Sequence, residues 1–352
     1  MCERRKGVRA SPSLFLFSLK RLRLWEKEDE YAELNEMTSP GVEYITALVI
    51  KTNDAFCFYG NGIQVADATY EFERLRREQE VLMKKFVIII TALVAMYIGW
   101  NFAYYQMGFY IDFHPDQPVT TFVKTEGDSI YLNKGSGYEK FEIKGVNMGS
   151  SQPGKWSTDF AIDKETYMRW FQYIQEMGAN TIRVYMIQAE DFYEAFYEYN
   201  SARENPLYLI QGVWVNDYVN NSYRDAYQDD IYKQFLEDCK VMIDVIHGER
   251  TISLGRTASM GSRSFRYDVS PWVIGYIFGI DWDDGLVSYT NEKYKNNDKY
   301  CSFSGEYLYT TEEGTAFEAM LARVGNEAIA YESKRYKQQR VFAFSPWTAN
   351  MC

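Results

Sequence analysis

The amino-acid sequence predicts an α/β chain: a parallel sheet of about four to five strand–helix units, carried behind an N-terminal transmembrane helix. Three observations predict it. From residue 139 onward, strand-like runs alternate with amphipathic helical stretches. The strand-like runs are apolar almost throughout, the pattern of parallel strands buried on both faces. Residues 86–100 (FVIIITALVAMYIGW) carry no charge. With their continuation to Tyr105 they supply about the 20 residues needed to cross ~30 Å of hydrocarbon.

Residues 1–82 read as an N-terminal extension of a different kind. They hold a basic patch, an acidic stretch (EKEDEYAELNE), a short β-like run (YITALVI) and a charged helical stretch over 68–82. No motif among them carries chemistry. Met83-Lys84-Lys85 ahead of the apolar run has the form of an ordinary start, which would make residues 1–82 an upstream extension. Residues 83–105 are expected to be an uncleaved signal anchor, because no A-x-A site follows the apolar core. Lys84 and Lys85 before the run, and Trp100, Tyr104 and Tyr105 at its exit, put the N-terminus in the cytoplasm and the C-terminal domain outside. A buried core helix is the competing reading, and the lack of a polar face on 86–105 opposes it.

Residues 106–138 form a spacer with β segments. FEIKGVN (141–147) reads as the first strand of the outer domain. Asp163 is placed to cap a helix from Lys164 to Met177, in which Tyr167, Trp170, Phe171, Ile174 and Met177 hold helical spacing. Gly178 is placed to end that helix. Then follow a strand at 180–187, a short helix at 191–199, a strand at 207–215 and a long helix at 226–247. Residues 248–267 are Gly/Ser/Arg-rich and read as a loop. WVIGYIFGI (272–280) is the fourth strand, 316–337 a helix and VFAF (341–344) the last strand.

Composition limits the function. The chain has 352 residues, 46% hydrophobic and 25% charged, which excludes wholesale disorder, a collagen-like chain and a multi-span membrane protein. Net charge is −11; residues 1–85 hold 14 basic and 14 acidic residues, so the excess lies in 86–352, with 24 basic and 35 acidic. No nucleic-acid partner is expected, since such binding needs Lys and Arg against phosphate. His114 and His247 stand far apart. Cys2, Cys57, Cys239, Cys301 and Cys352 are scattered without a CxxC. No metal site and no cofactor are therefore expected, and Cys239 reads as a core residue.

FEIKGVNMGSSQPGKW, followed by QEMGANTIRVY, resembles the start of the catalytic barrel of glycoside hydrolase family 2 and its retaining (β/α)8 relatives, in particular membrane-anchored proteins with such a domain. Lys144-Gly145-Val146-Asn147 and Gly178-Ala179-Asn180-Thr181-Ile182-Arg183 carry the likeness. VIGYIFGIDWD (273–283) is similar to the fourth strand of that family, which ends in Asn-Glu. The resemblance covers about 139–350. It implies a partial TIM barrel over 139–352, apparently truncated, and O-glycosyl hydrolysis of a polysaccharide or oligosaccharide.

By the same resemblance Asp281 falls at the acid/base position and Arg183 at the arginine that lies under the nucleophile; these are the candidate catalytic residues. Two departures stand out. Asp281 is one methylene shorter than the family's Glu, and Ile280 replaces its Asn. A retaining mechanism also needs a second carboxyl as nucleophile. The family places it on the seventh strand, which four to five units do not reach, so this chain alone is expected to be inactive. Asp281 is also a candidate ion partner for Arg183. Asn147, Trp156, Tyr185, Trp282, Asp283 and Trp347 are candidate substrate-binding residues, with Trp214, Asp217, Glu190 and Asp284 behind them. Each has a plainer reading: turn residue, core aromatic or solvated loop. Three functions stay open: a membrane-anchored glycosidase-like enzyme, a non-catalytic glycan-binding or cell-envelope protein, and a truncated gene product. A half barrel also leaves strand edges unpaired, which invites self-association.

Overall fold

The computed structural model describes strands at 14–17, 47–52 and 55–59 and residues 65–345, apart from 134, 136, 157–158, 216–223, 253–262 and 280–281. The chain divides into two compact units, 1–96 and 97–352.

In the first unit β1 (Leu14–Phe17), β2 (Ala47–Thr52) and β3 (Ala55–Tyr59) form an antiparallel sheet in chain order. Helix α1 (Val65–Asn101) follows, and a π-helical turn extends it over Phe102–Gln106. Its charged first half is laced by pairs four residues apart, Arg74–Glu78 and Arg76–Glu80, a spacing that supports an exposed helix. One continuous helix thus crosses the expected boundary at residue 82. Among the described residues, Glu73–Gln106 is the one helix long and apolar enough to cross a membrane, with a window of mean hydropathy 2.1.

The second unit is α/β and is built on five parallel strands. They are β8 (Gly145–Met148), β9 (Thr181–Val184), β10 (Tyr208–Val213), β13 (Val273–Phe278) and β15 (Val341–Phe344), and they lie side by side in chain order. Between them come α2 (Lys164–Glu176), α3 (Glu190–Ser201), α4 (Asp229–Ile246), α5 (Asp284–Tyr294), the short α6 (Asp298–Cys301) and α7 (Ala316–Tyr336). Parallel neighbours joined by right-handed crossovers put their helices on one face. That face is the main core: Ile182, Val184, Leu209, Val213 and Phe278 meet Phe171 of α2, Phe192 of α3, Met242 of α4 and Val324 of α7. Sequential order with one-sided helices is the topology of a partial barrel.

The opposite face is covered in part by a small antiparallel sheet of β5 (Val123–Glu126), β6 (Ser129–Asn133) and β7 (Tyr138–Phe141). Val123 and Leu132 from it bury Tyr208 and Ile274. Two of these strands, β5 and β6, lie within 106–138, and β7 runs past it.

The helix boundaries have local causes. The Asp163 carboxylate accepts the Thr166 N–H at 2.8 Å to open α2, and Gly178, at φ +91°, follows its end. Thr315 and Glu318 form a capping box at the start of α7. Two sequence expectations are corrected, and one helix is added. The run 141–147 is not one strand: Phe141 ends β7, and the chain changes sheets before β8 begins at Gly145. The expected loop at 248–267 contains an antiparallel pair, β11 (Arg250–Ile252) and β12 (Arg263–Phe265). Helix α5 was not foreseen.

A buried polar cluster lies at the N-terminal strand ends. The Asp244 carboxylate, fully buried, accepts from Arg250 Nη1 at 3.0 Å, Tyr331 Oη at 2.7 Å and Tyr336 Oη at 2.9 Å, and pairs with Arg335 at 3.2 Å. Glu332 accepts from Arg340 Nε and Tyr276 Oη, both at 2.8 Å, and lies 3.1 Å from His247 Nε2. Arg340 also donates to the carbonyls of Ser270 and Val273 at the start of β13. The His247 ring stacks on Tyr336 with centroids 3.7 Å apart. Buried charges persist only when paired and hydrogen-bonded, and these two carboxylates are saturated.

Candidate functional site at the C-terminal strand ends

The C-terminal ends of β8, β9 and β10 lie side by side, whereas the small sheet packs on Tyr208 and Ile274 at the starts of β10 and β13. Asn147 and Arg183 are register partners, and Arg183 is in turn paired with Ile210. Register partners in parallel strands project to one face, and residues two apart share it. Asn147, Arg183, Ile210 and Tyr185 therefore stand on the face opposite the main helices. Asn147 is exposed; Arg183, Tyr185 and Trp214 are half-buried. The Arg183 guanidinium lies 4.8 Å from the Tyr185 ring centre, within cation–π range. Its Nε is buried without a hydrogen-bond partner among the described residues. Arg183 is thus a cation laid over an aromatic ring, beside an exposed amide.

Below this row the β9–α3 connection is tied down. Gln211 accepts from Tyr193 Oη at 2.9 Å and donates to the Met186 carbonyl at 3.0 Å. Ser150, after β8, reaches Met186 Sδ at 3.8 Å. Glu190 and Asp191 open α3, and partial burial is the leading cause that lifts both carboxyls above their ordinary range, with Arg263 opposing.

The remaining predicted residues disperse. Trp156 is 79% exposed, on the loop between β8 and α2, and its backbone N–H donates to Asp159 Oδ2 at 2.9 Å. Trp282 is 2% exposed. Its ring packs edge-on against Phe235 and Phe317, at 5.1 and 5.0 Å, so the structure places it in the core. Asp283 accepts the Leu286 N–H at 3.0 Å and caps α5. Asp281, Asp217 and Trp347 lie outside the described residues. Gly279 has φ +70°, and a Cβ there would overlap the Trp282 indole, so the turn into the predicted acid/base position requires glycine. No group of three or more His, Cys, Asp or Glu able to hold a metal occurs among the described residues.

Sequence reasoning missed the buried polar cluster entirely. The available signal was Asp244 inside the apolar stripe of α4, flanked by Ile243 and Val245. A charge there must find partners.

Fold and site together define a singly wound α/β domain with an open polar–aromatic row at its C-terminal strand ends. No protein-family model and no curated protein matches the chain. Among solved structures it is similar to two of the Parabacteroides merdae beta-glucuronidase, one with glycerol in the active site. Both are 12% identical, with TM-scores of 0.36 and 0.37. They cover 96% and 95% of this chain, whereas the chain spans only 30% and 29% of theirs. At that similarity neither carries an argument about this chain's activity.

Proposed function

We propose that this chain is a membrane-anchored, glycoside hydrolase-like protein whose domain at 139–352 recognises an extracytoplasmic polysaccharide or oligosaccharide and does not hydrolyse it alone. The observation that carries the reading is the Asn147–Arg183–Tyr185 row. It offers an exposed amide, a half-buried guanidinium and an aromatic ring on one face of the sheet. Sugars present hydroxyls to such donors and C–H faces to such rings. Recognition is favoured over turnover because Asp283 is engaged as a helix cap and Trp282 is core. The acid/base role then rests on Asp281 alone, whereas retaining hydrolysis needs two carboxyls about 5–5.5 Å apart. In this reading residues 1–82 are an extension, 83–105 the signal anchor with its N-terminus cytoplasmic, and 106–138 the spacer. Strands β8 and β15 are the sheet edges through which copies would associate.

The test uses the full chain in detergent against a panel of immobilised polysaccharides. Retention by at least one glycan is expected. Its loss in Arg183→Ala and weakening in Tyr185→Phe would assign the row, with circular dichroism showing that both variants fold. No release of chromophore from aryl glycosides is expected. Turnover abolished by Asp281→Ala would replace the recognition reading with an enzymatic one.

A further inference from the structure

The segment that leaves the apolar helix is two-sided. Its even positions face the protein. The Gly108 carbonyl accepts from Arg335 Nη1 at 2.9 Å, the Tyr110 ring meets Tyr331 edge-on at 5.9 Å, and Asp112 pairs with Lys337 Nζ at 2.6 Å. Gly108 sits at φ +70° so close to Arg250 that a Cβ would strike its guanidinium. The odd positions face outward: Met107, Phe109, Ile111 and Phe113 are all exposed, Phe113 at 73%. Met107 (φ −97°) and Gly108 (φ +70°) turn the chain out of the helix, and the alternation over 107–113, with inward groups held and outward groups apolar, marks a strap with one largely exposed hydrophobic face.

The strap is fastened to the end of the sheet opposite the candidate site. Arg335, Lys337 and Arg250 belong to the elements around the N-terminal strand ends, where Arg340 binds the carbonyls of Ser270 and Val273. Beyond the strap, β4 (Thr120–Thr121) pairs in parallel with β14 (Gln338–Gln339), just ahead of β15. At its start Phe109 packs edge-on against Trp100, and Arg266 covers Tyr105 at 3.8 Å.

We infer that the outward face of Met107–Phe113 lies in the interfacial layer of a lipid bilayer, so that the N-terminal end of the sheet faces the membrane and the Asn147–Arg183–Tyr185 row faces away. This rests on the reading of Glu73–Gln106 as a membrane span. The occupant follows from continuity: the strap begins where the apolar helix ends, at the level where aromatic side chains settle between headgroups and hydrocarbon. Its outward residues include two phenylalanines, and its one charge, the exposed Asp112, is paired with Lys337.

Photolabelling tests the inference. The full chain is reconstituted in phosphatidylcholine vesicles containing a phospholipid with a diazirine near the headgroup, irradiated and mapped by peptide mass spectrometry. Label is expected on the apolar helix and on Met107–Phe113, and not on peptides carrying Asn147, Arg183 or exposed Trp156. In the double variant Phe109→Asp/Phe113→Asp, strap labelling should be lost while helix labelling stays. A labelled helix with an unlabelled strap would overturn the inference and leave the span reading standing. Equal labelling of the strap and the Trp156 loop would overturn the orientation. An unlabelled helix would overturn the span reading and the inference with it.

Discussion

Gly279 and Trp282 show how closely single residues constrain the candidate loop. The indole occupies the space of a Cβ at 279, and the backbone there is left-handed. Gly279→Ala should destabilise the domain by more than the roughly 1–2 kcal/mol of left-handed strain alone, read from urea unfolding. Glu332 makes a second prediction. Burial pushes its carboxyl up, but Arg340, His247 and Tyr276 outweigh burial and hold it below the ordinary glutamate range. The folded state thus binds that proton less readily than the unfolded chain. The stabilisation is complete above the unfolded value of about 4.3 and is lost as pH falls through the folded one. In thermal melts, the midpoint of the Glu332→Gln variant should vary less with pH below that value than the wild type's. At this scale the sequence was only partly legible. Asn147 and Arg183 share a face because strand alternation dictates it. The fate of Trp282 depends on Phe235 and Phe317, which come from distant helices. The buried pairing of Asp244 with Arg250 and Arg335 is equally a product of tertiary packing.

Elements were legible where an apolar stripe was long. Helices α2, α4 and α7 bury a continuous side, so spacing alone located them. Helix α5 buries only Leu286 and Thr290, too few for a period to emerge. The β11–β12 pair has three-residue strands, one opening on the buried Arg250, and composition marks such a stretch as loop. The split of 141–147 between two sheets has no local signal, since both halves are β-like and only the long-range partners differ. Caps give the prediction at this scale. Thr315 Oγ1 accepts the Glu318 N–H while Glu318 returns a bond to the Thr315 N–H. Thr315→Ala should cost about 1 kcal/mol, seen as a lower denaturation midpoint with an unchanged slope.

For the whole molecule, sequential strand order makes protection graded. Strands β9, β10 and β13 have partners on both sides, whereas β8 and β15 each have one in the parallel sheet. Amide hydrogen exchange should be slowest in the three inner strands and faster in the two outer ones, since local opening follows hydrogen bonding and burial. If copies associate through those edges, raising the protein concentration should slow exchange in β8 and β15 selectively. Concentration-independent exchange there would argue against edge association. The parallel α/β class was legible at this scale because it is written in alternation and in near-continuous apolar strands. The small sheet over the second face was not, because its short strands resemble a spacer.

The strap has a mechanical consequence. Tyr104 bonds to Glu249, Gly108 to Arg335 and Asp112 to Lys337, so successive rivets fasten the chain from Tyr104 to Asp112. Tension entering at Gln106 would pass into α7 and β11 within a few residues, because the first part of the following segment is already fastened. Pulled outward, the rivets would open one at a time; pulled along the strap, they would resist together. A domain held this way would pass a pull on the strap straight to its core.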